Sequence, residues 1–95
     1  MEDRFAALLD EAVRSMSVKL LKDRYSVVKR SAFVKDPVLD HLFFHIFSDI
    51  LVSKTEYSAM VAEFIKADKK IQDAFDTRLR DRLYDALYKA QGGLC

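Results

Sequence analysis

The stretch from position 37 to position 53 carries apolar residues at the spacing of one α-helical face. Seven residues share that face: Leu39, Leu42, Phe43, Ile46, Phe47, Ile50 and Leu51. Phe44 and Val52 fall outside this stripe. Asp36 is a good N-cap and Pro37 is preorganised for the first helical position, so together they predict a helix over residues 37–53. Because its apolar surface exceeds one face, we expect this helix to lie centrally in the fold or to bind a partner.

The first third of the chain has a second helical pattern. Glu2 or Asp3 supplies the negative charge that is favoured at a helix N-terminus, and one face then carries Phe5, Leu9, Ala12, Val13, Met16 and Leu20. Residues 2–34 form either one long helix or two. Asp23 and Ser26 are plausible caps, which favours a bend or break between them.

The second half of the chain continues the helical spacing. Ser53 and Glu56 have the Ser-x-x-Glu spacing of a capping box, which predicts a tight turn and a new helix. The apolar residues that follow are Tyr57, Met60, Val61, Phe64, Ile65, Ile71, Phe75, Leu79, Leu83, Ala86, Leu87 and Ala90. A pattern of this length usually contains a break, and Asp68 and Asp76 are both candidate N-caps. We place the break near Asp76 and the end of the last helix at Gly92-Gly93.

Composition agrees with a small helical domain. The 95 residues are 51% hydrophobic and 33% charged, with two Gly and one Pro, which is typical of a compact helical protein rather than a disordered chain. We predict an all-α fold, a compact antiparallel bundle of four to five helices in residues 1–91 with a flexible tail at 92–95. Truncating Phe47 to alanine should cost about 3–5 kcal/mol of stability. The most buried side chains are expected to be Phe43, Ile46, Phe47 and Ile50.

The cysteine count and the hydropathy of the chain predict its cellular compartment. Cys95 is the single cysteine, so an intrachain disulfide is impossible and a reducing compartment is expected. The longest run without Asp, Glu, Lys or Arg is eight residues, 41–48, against the roughly 20 apolar residues of a membrane-spanning helix. The residues Met1-Glu2-Asp3-Arg4 do not resemble the start of a secretory signal. We therefore expect a cytoplasmic protein with no membrane partner.

The net charge of +1 hides an uneven distribution. Residues 13–35 contain seven basic residues and one acid. If the first helix is continuous, five cations form a stripe that could follow phosphates: Arg14, Lys19, Lys22, Lys29 and Arg30. The simpler interpretation is a solvated helix face, because lysine and arginine outside a core normally lie in water. Nucleic-acid binding by an accessory protein is therefore the alternative function.

Charges also alternate in sign along the predicted last helix. The residues are Asp76, Arg78, Arg80, Asp81, Arg82 and Asp85. Such alternation is typical of an exposed, ion-paired face, with each pair worth a few tenths of a kcal/mol. It could equally set the register of a partner helix.

Two histidines stand out as candidate metal ligands. His41, His45 and Asp49 are spaced i, i+4, i+8, and paired histidines at this spacing can share a zinc ion. Leu42 stands where a His-Glu-x-x-His motif has its Glu, and the only thiol, Cys95, is at the end of the chain. A polar seam on a crowded helix is the simpler interpretation, so we expect no metal and no cofactor.

The chain is poorly equipped for catalysis. Its two glycines are at its end, so no glycine-rich loop can bind phosphate. Ser48 lies between His45 and Asp49 in sequence, but neighbours on one rigid helix do not form a nucleophile, base and orienting group. We therefore expect no catalytic residues and no enzymatic activity.

The apolar and aromatic surplus favours protein binding. Tyr84 and Tyr88 lie one turn apart beside the Leu79, Leu83 and Leu87 stripe, and aromatic residues are favoured at interfaces. We predict a small adaptor or regulatory subunit that binds another protein, or a second copy of itself as a homodimer. Its candidate contact residues are Phe33, Phe44, Leu51, Tyr84 and Tyr88. A second packing layer inside the protein could absorb the same surplus.

Overall fold

A computed structural model describes residues 3–53 and 55–91 of the chain. Within these residues there are five α-helices and one short 3-10 helix, without β-strands, which confirms the all-α bundle. The 3-10 helix spans Asp3–Phe5, and the α-helices are α1 (Ala6–Lys22), α2 (Arg30–Phe33), α3 (Val38–Ser53), α4 (Thr55–Ile65) and α5 (Lys69–Ala90). The predicted flexible tail at 92–95, Glu2 and Lys54 lie outside the described residues.

The N-terminal segment contains two helices, and the break lies where the sequence favoured it. α1 ends at Lys22, and the N–H of Tyr25 donates to the carbonyl of Leu20 at 2.9 Å. Arg24 has φ = 57°, the left-handed conformation that usually falls to glycine at this point of a helix end. The hydrogen bond and the left-handed residue lie at the end of α1, where the chain turns toward the short α2.

The Asp36-Pro37 boundary is confirmed, with α3 beginning at Val38. The carboxylate of Asp36 accepts the N–H of Val38 at 3.0 Å and a hydrogen bond from the Tyr25 hydroxyl. Burial, together with this hydrogen bond, raises the pKa of Tyr25 to about 12. The Tyr25 hydrogen bond, followed by that from Val38, lowers the pKa of the Asp36 carboxyl.

The second break was predicted at the wrong aspartate. α4 ends at Ile65, and Asp68, with extended dihedral angles, precedes α5, whereas Asp76 lies inside that helix. The side-chain amide of Gln72 donates to the carbonyls of Phe64 and Ile65 at 3.1 Å each, which satisfies groups left open at the end of α4. Asp76 instead accepts from Arg80 one turn later, and such a pair stabilises a continuous helix. α5 ends at Ala90, two residues before the predicted glycines, which are outside the described residues.

One core joins the helices. The predicted face of the first helix is buried throughout, and so are Ile46, Phe47 and Ile50 of α3. Phe43 is an exception to the prediction because it is only partly buried, while Leu39 on the same helix is 2% exposed. The centre holds a group of five phenylalanines: Phe5, Phe43, Phe47, Phe64 and Phe75.

The alternating charges of α5 connect it to the other helices. Arg82 pairs with Asp10 of α1 at 2.5 Å, and Arg30 of α2 pairs with both Asp81 and Asp85. The charges of this face therefore pair with other helices of the same chain. Inside residues 3–53 and 55–91, none of the helices combines the length and apolar character that a bilayer crossing requires.

Candidate partner-binding groove

The apolar surplus of α3 leaves side chains in water on one side of the bundle. Phe44 is 71% exposed and Val52 81% exposed, and both lie outside the buried stripe of that helix. Ile65, at the end of α4, is 61% exposed. Clusters of exposed apolar side chains commonly mark interaction sites in folded proteins, and Phe44 and Ile65 lie near one another on the surface.

A groove of about 490 Å³ lies beside these side chains, between α3, α4 and α5. Its α3 wall consists of Phe43, Phe44, Phe47, Ser48 and Leu51. Its α4 wall consists of Val61, Phe64 and Ile65. The volume falls within the roughly 300–1,000 Å³ of typical binding pockets. The groove is open to solvent and has a mostly apolar lining, so it can receive an apolar surface from outside.

The floor of the groove is held by the core. The Phe47 ring lies 5.4 Å from that of Phe64 and 5.9 Å from that of Phe75, which is fully buried. Phe43 and Phe47 are closer still, with centroids 4.2 Å apart. Edge-to-face and offset ring contacts of this kind favour defined orientations. The aromatic floor is therefore preorganised by contacts that also stabilise the fold.

The third wall of the groove is polar and comes from α5. Gln72, Asp73 and Asp76 line it. Gln72 fixes the turn between α4 and α5 through its bonds to the end of α4, and so sets the position of Ile65 at the rim. Asp76 is held by Arg80, with 3.0 Å between Oδ2 and Nε. Asp73 is exposed, and its carboxylate forms no ion pair with the described residues.

The predicted contact residues are divided between the core and the surface. Phe33 is completely buried, with ring contacts to Tyr25 at 6.0 Å and Tyr84 at 5.4 Å. Tyr84 is 9% exposed and is covered by the Arg30 guanidinium, 4.5 Å from the ring centroid. These two residues belong to an internal packing layer rather than to a free surface. Tyr88 is half-buried and stacked on Tyr84.

Phe44 and Leu51 are the two predicted contact residues that the fold brings to the groove. Ile65 was not among the predicted contact residues and was counted only with the apolar residues at helical spacing. The spacing gave no signal that separates Ile65 from Phe64, because adjacent apolar residues can both be buried, as Leu8 and Leu9 of α1 are. Of Phe64 and Ile65, only Phe64 is buried.

The predicted basic stripe is divided by the break after α1. Arg14 pairs with Glu11 at 2.5 Å on α1, and Arg30 pairs with two aspartates of α5. Lys19 and Lys22 are exposed at the end of α1, and Lys29 precedes α2 beyond the intervening loop. The five cations therefore do not share one helix face.

The histidine pair lies on the surface of α3. His41, His45 and Asp49 are all exposed. Across residues 3–53 and 55–91, no group of three or more His, Cys, Asp or Glu side chains is placed to hold a metal ion. Cys95 lies outside the described residues.

Comparison with known proteins found no matching family model, no similar curated protein and no similar solved structure. A function for the chain therefore rests on the chemistry of the groove.

Proposed function

We propose that the chain is a non-enzymatic protein-interaction module, a small adaptor or regulatory subunit, that binds its partner in the groove between α3, α4 and α5. The observation that carries this proposal is Phe44, a large aromatic side chain 71% exposed at the rim of an apolar groove. The apolar rim continues with Ile65 on the α4 wall and with Leu51 on the α3 wall, which also carries Phe44. A partner that covers these residues removes a contiguous apolar surface from water.

Covering the exposed part of the Phe44 side chain with a partner contributes a substantial favourable free energy of binding. A Phe side chain buries roughly 150–250 Å² when covered, so the 71% exposed fraction corresponds to about 110–180 Å². At about 25 cal/mol per Å², covering it contributes about 3–4 kcal/mol before the costs of association. Phe44 is therefore the expected hot spot of the interface, with Ile65 as its neighbour.

A displayed library of random peptides of about 14 residues tests the proposal. Peptides are selected on the wild-type protein and then compared on Phe44→Ser, Ile65→Ser and Val18→Ser. Val18 is a matched control because it is also an exposed apolar residue, 46% exposed, but lies on α1 away from the groove. All three changes should leave the melting temperature nearly unaltered, since exposed positions change stability by about 0.5 kcal/mol or less.

Selected peptides should bind the wild type and Val18→Ser equally and lose at least tenfold in affinity on Phe44→Ser and Ile65→Ser. A library that yields no binder, or binders that ignore both groove substitutions, contradicts the proposal. The homodimer version has its own measurement: sedimentation should show a dimer that Phe44→Ser converts to a monomer.

Nucleic-acid binding through residues 14–35 is the second candidate. Lys19 and Lys22 are exposed one turn apart on α1, which favours it, while the ion pairs of Arg14 and Arg30 weigh against it. Its test is fluorescence anisotropy with a labelled 20-nucleotide RNA and a 20-base-pair DNA. This candidate requires affinity that falls steeply with salt and that Lys19→Glu with Lys22→Glu removes. No binding at low ionic strength would exclude it.

A further inference from the structure

We infer that the segment occupying the groove is a short amphipathic α-helix with lysine or arginine along one edge. This inference rests on the proposed function and specifies the partner's conformation and charge. Three properties of the groove carry it: its size, its walls and the charge of the helices that form it.

Size favours a segment over a second folded protein. Eleven residues line the groove, whereas each side of a stable protein interface contributes about 20–30 residues. On α3 the lining runs from Phe43 to Leu51, nine residues whose ends lie about 12 Å apart along the helix axis at 1.5 Å per residue. A helix of two to three turns matches this length and can place apolar anchors at i, i+4 and i+7.

The walls favour a helix over an extended strand. The part of the chain that the structure describes contains no β-strand, so no sheet edge is offered for strand addition. An apolar floor between helices instead accepts the apolar face of another helix, which satisfies its own backbone hydrogen bonds. The half-buried Phe43 and the buried Phe47 form the part of the floor that such a face would contact.

Charge identifies the partner's polar edge as basic. Residues 38–53 and 55–65, which form α3 and α4, contain no lysine or arginine and four carboxylates: Asp40, Asp49, Glu56 and Glu63. Asp40 pairs with Arg80 and Glu63 with Arg4, so the charge at the groove comes from the residues that line it. The two charged residues that line the groove, Asp73 and Asp76, are also acids, and Lys69 and Lys70 of α5 take no part in the lining. Since Arg80 already holds Asp76, Asp73 is the carboxylate that a basic partner would contact first.

The same charges disfavour a second copy of this chain as the occupant. In a two-fold symmetric dimer whose axis passes through the groove, the aspartates of both copies would approach one another.

The test uses three synthetic 14-residue peptides, all acetylated, amidated and fluorescein-labelled, of which two have leucines on one helical face. One peptide has lysine and the other glutamate at the flanking positions, and a third, scrambled lysine peptide has no apolar face. Fluorescence polarisation is measured at 50 and 300 mM salt. The lysine peptide should bind the wild type at least tenfold more tightly than the glutamate and scrambled peptides, and this preference should shrink at 300 mM salt.

Charge reversal localises the effect. Asp73→Lys should reduce the tenfold preference at least threefold, whereas Asp49→Lys should leave it within twofold of the wild type. Both variants change the net charge equally, but Asp49 lies outside the groove, beside Ile46, Ile50 and Ser53. Equal effects of the two variants, or equal binding of the scrambled peptide, would overturn the inference because they indicate nonspecific charge attraction.

The remaining outcomes separate this inference from the proposed function. Equal or tighter binding of the glutamate peptide, lost on Phe44→Ser, would overturn the basic partner and leave the groove as a binding site. Failure of every peptide would overturn the inference, while the library selection decides independently whether the groove binds at all. A wild-type dimer that Phe44→Ser dissociates would likewise overturn it in favour of a second copy.

Discussion

Replacing Phe75 with alanine should cost more stability than the same change at an exposed phenylalanine. Phe75 is fully buried, and its ring centroid lies 4.6 Å from that of Phe64, 5.9 Å from that of Phe47 and 6.0 Å from that of Phe43. Buried Phe→Ala changes cost about 3–5 kcal/mol. Because three aromatic neighbours lose a partner at once, we expect about 4–5 kcal/mol, the upper part of this range.

This loss is large against the whole stability of the domain. A chain of 95 residues has a free energy of unfolding of roughly 5–14 kcal/mol. At about 4–8 °C per kcal/mol, the melting temperature should fall by more than about 15 °C. The assay is urea unfolding followed by far-UV circular dichroism, with Phe44→Ala as the matched control. Phe44 is 71% exposed, so its substitution should cost about 0.5 kcal/mol or less.

A second variant keeps the measurement decisive if Phe75→Ala does not fold. Phe75→Leu retains most of the buried volume and should lose a smaller amount, within roughly 0.5–3 kcal/mol. The reasoning is refuted if Phe75→Ala loses less than 1 kcal/mol. It is refuted equally if Phe44→Ala costs as much as Phe75→Ala or more than Phe75→Leu, since the burial difference would then have no energetic consequence.

Three further substitutions test individual contacts. Arg24→Gly should raise the free energy of unfolding by about 1 kcal/mol in urea titrations, because glycine adopts the left-handed conformation freely; a loss would contradict this. Tyr25 keeps its proton up to a pKa of about 12 but loses it near 10 when unfolded, so its stabilising contribution is present below pH 10 and falls between pH 10 and 12. Tyr25→Phe should flatten the fall of the urea midpoint over that interval, and an unchanged fall would contradict this. Arg80→Lys should lower the free energy of unfolding by about 1–3 kcal/mol in thermal unfolding, because one ammonium cannot replace a guanidinium that contacts Asp76, Asp40 and two carbonyls. A loss below about 0.5 kcal/mol would show that the ammonium replaces these contacts.

The groove and the core share several residues, among them Phe47, Val61 and Phe64, which affects the choice of binding variants. Phe47 is 8% exposed, contacts Phe64 and Phe75, and also lines the groove. Truncating it should therefore weaken both folding and partner binding. Phe44 and Ile65 separate the two effects, since both are exposed at the groove and make little contribution to the core.

Part of the candidate site could be predicted from the sequence. Phe44 falls outside the main stripe of its helix, and this position alone indicated a side chain without a place in the core. Phe33 and Tyr84 had the same sequence signal but are buried, because α2 folds back and packs against α5. A periodic pattern shows which face a residue occupies, and it does not show how many neighbours cover that face.

The sequence by itself determined the helices and those boundaries that depend on local contacts. The buried face of α1 follows from spacing, and the start of α3 follows from Asp36 capping the N–H of Val38. Each of these features depends on groups within a few residues of one another, so no distant part of the chain is needed to establish it.

Tertiary structure alone decided the rest. As local caps, Asp68 and Asp76 are equivalent in the sequence. In the structure, Gln72 donates to the end of α4, and Arg80 pairs with both Asp76 and Asp40 of α3. The groove likewise exists only because three helices meet with Phe44 and Ile65 left at the rim. Which faces meet is set by packing between residues distant in sequence, and that information is absent from the pattern of any single helix.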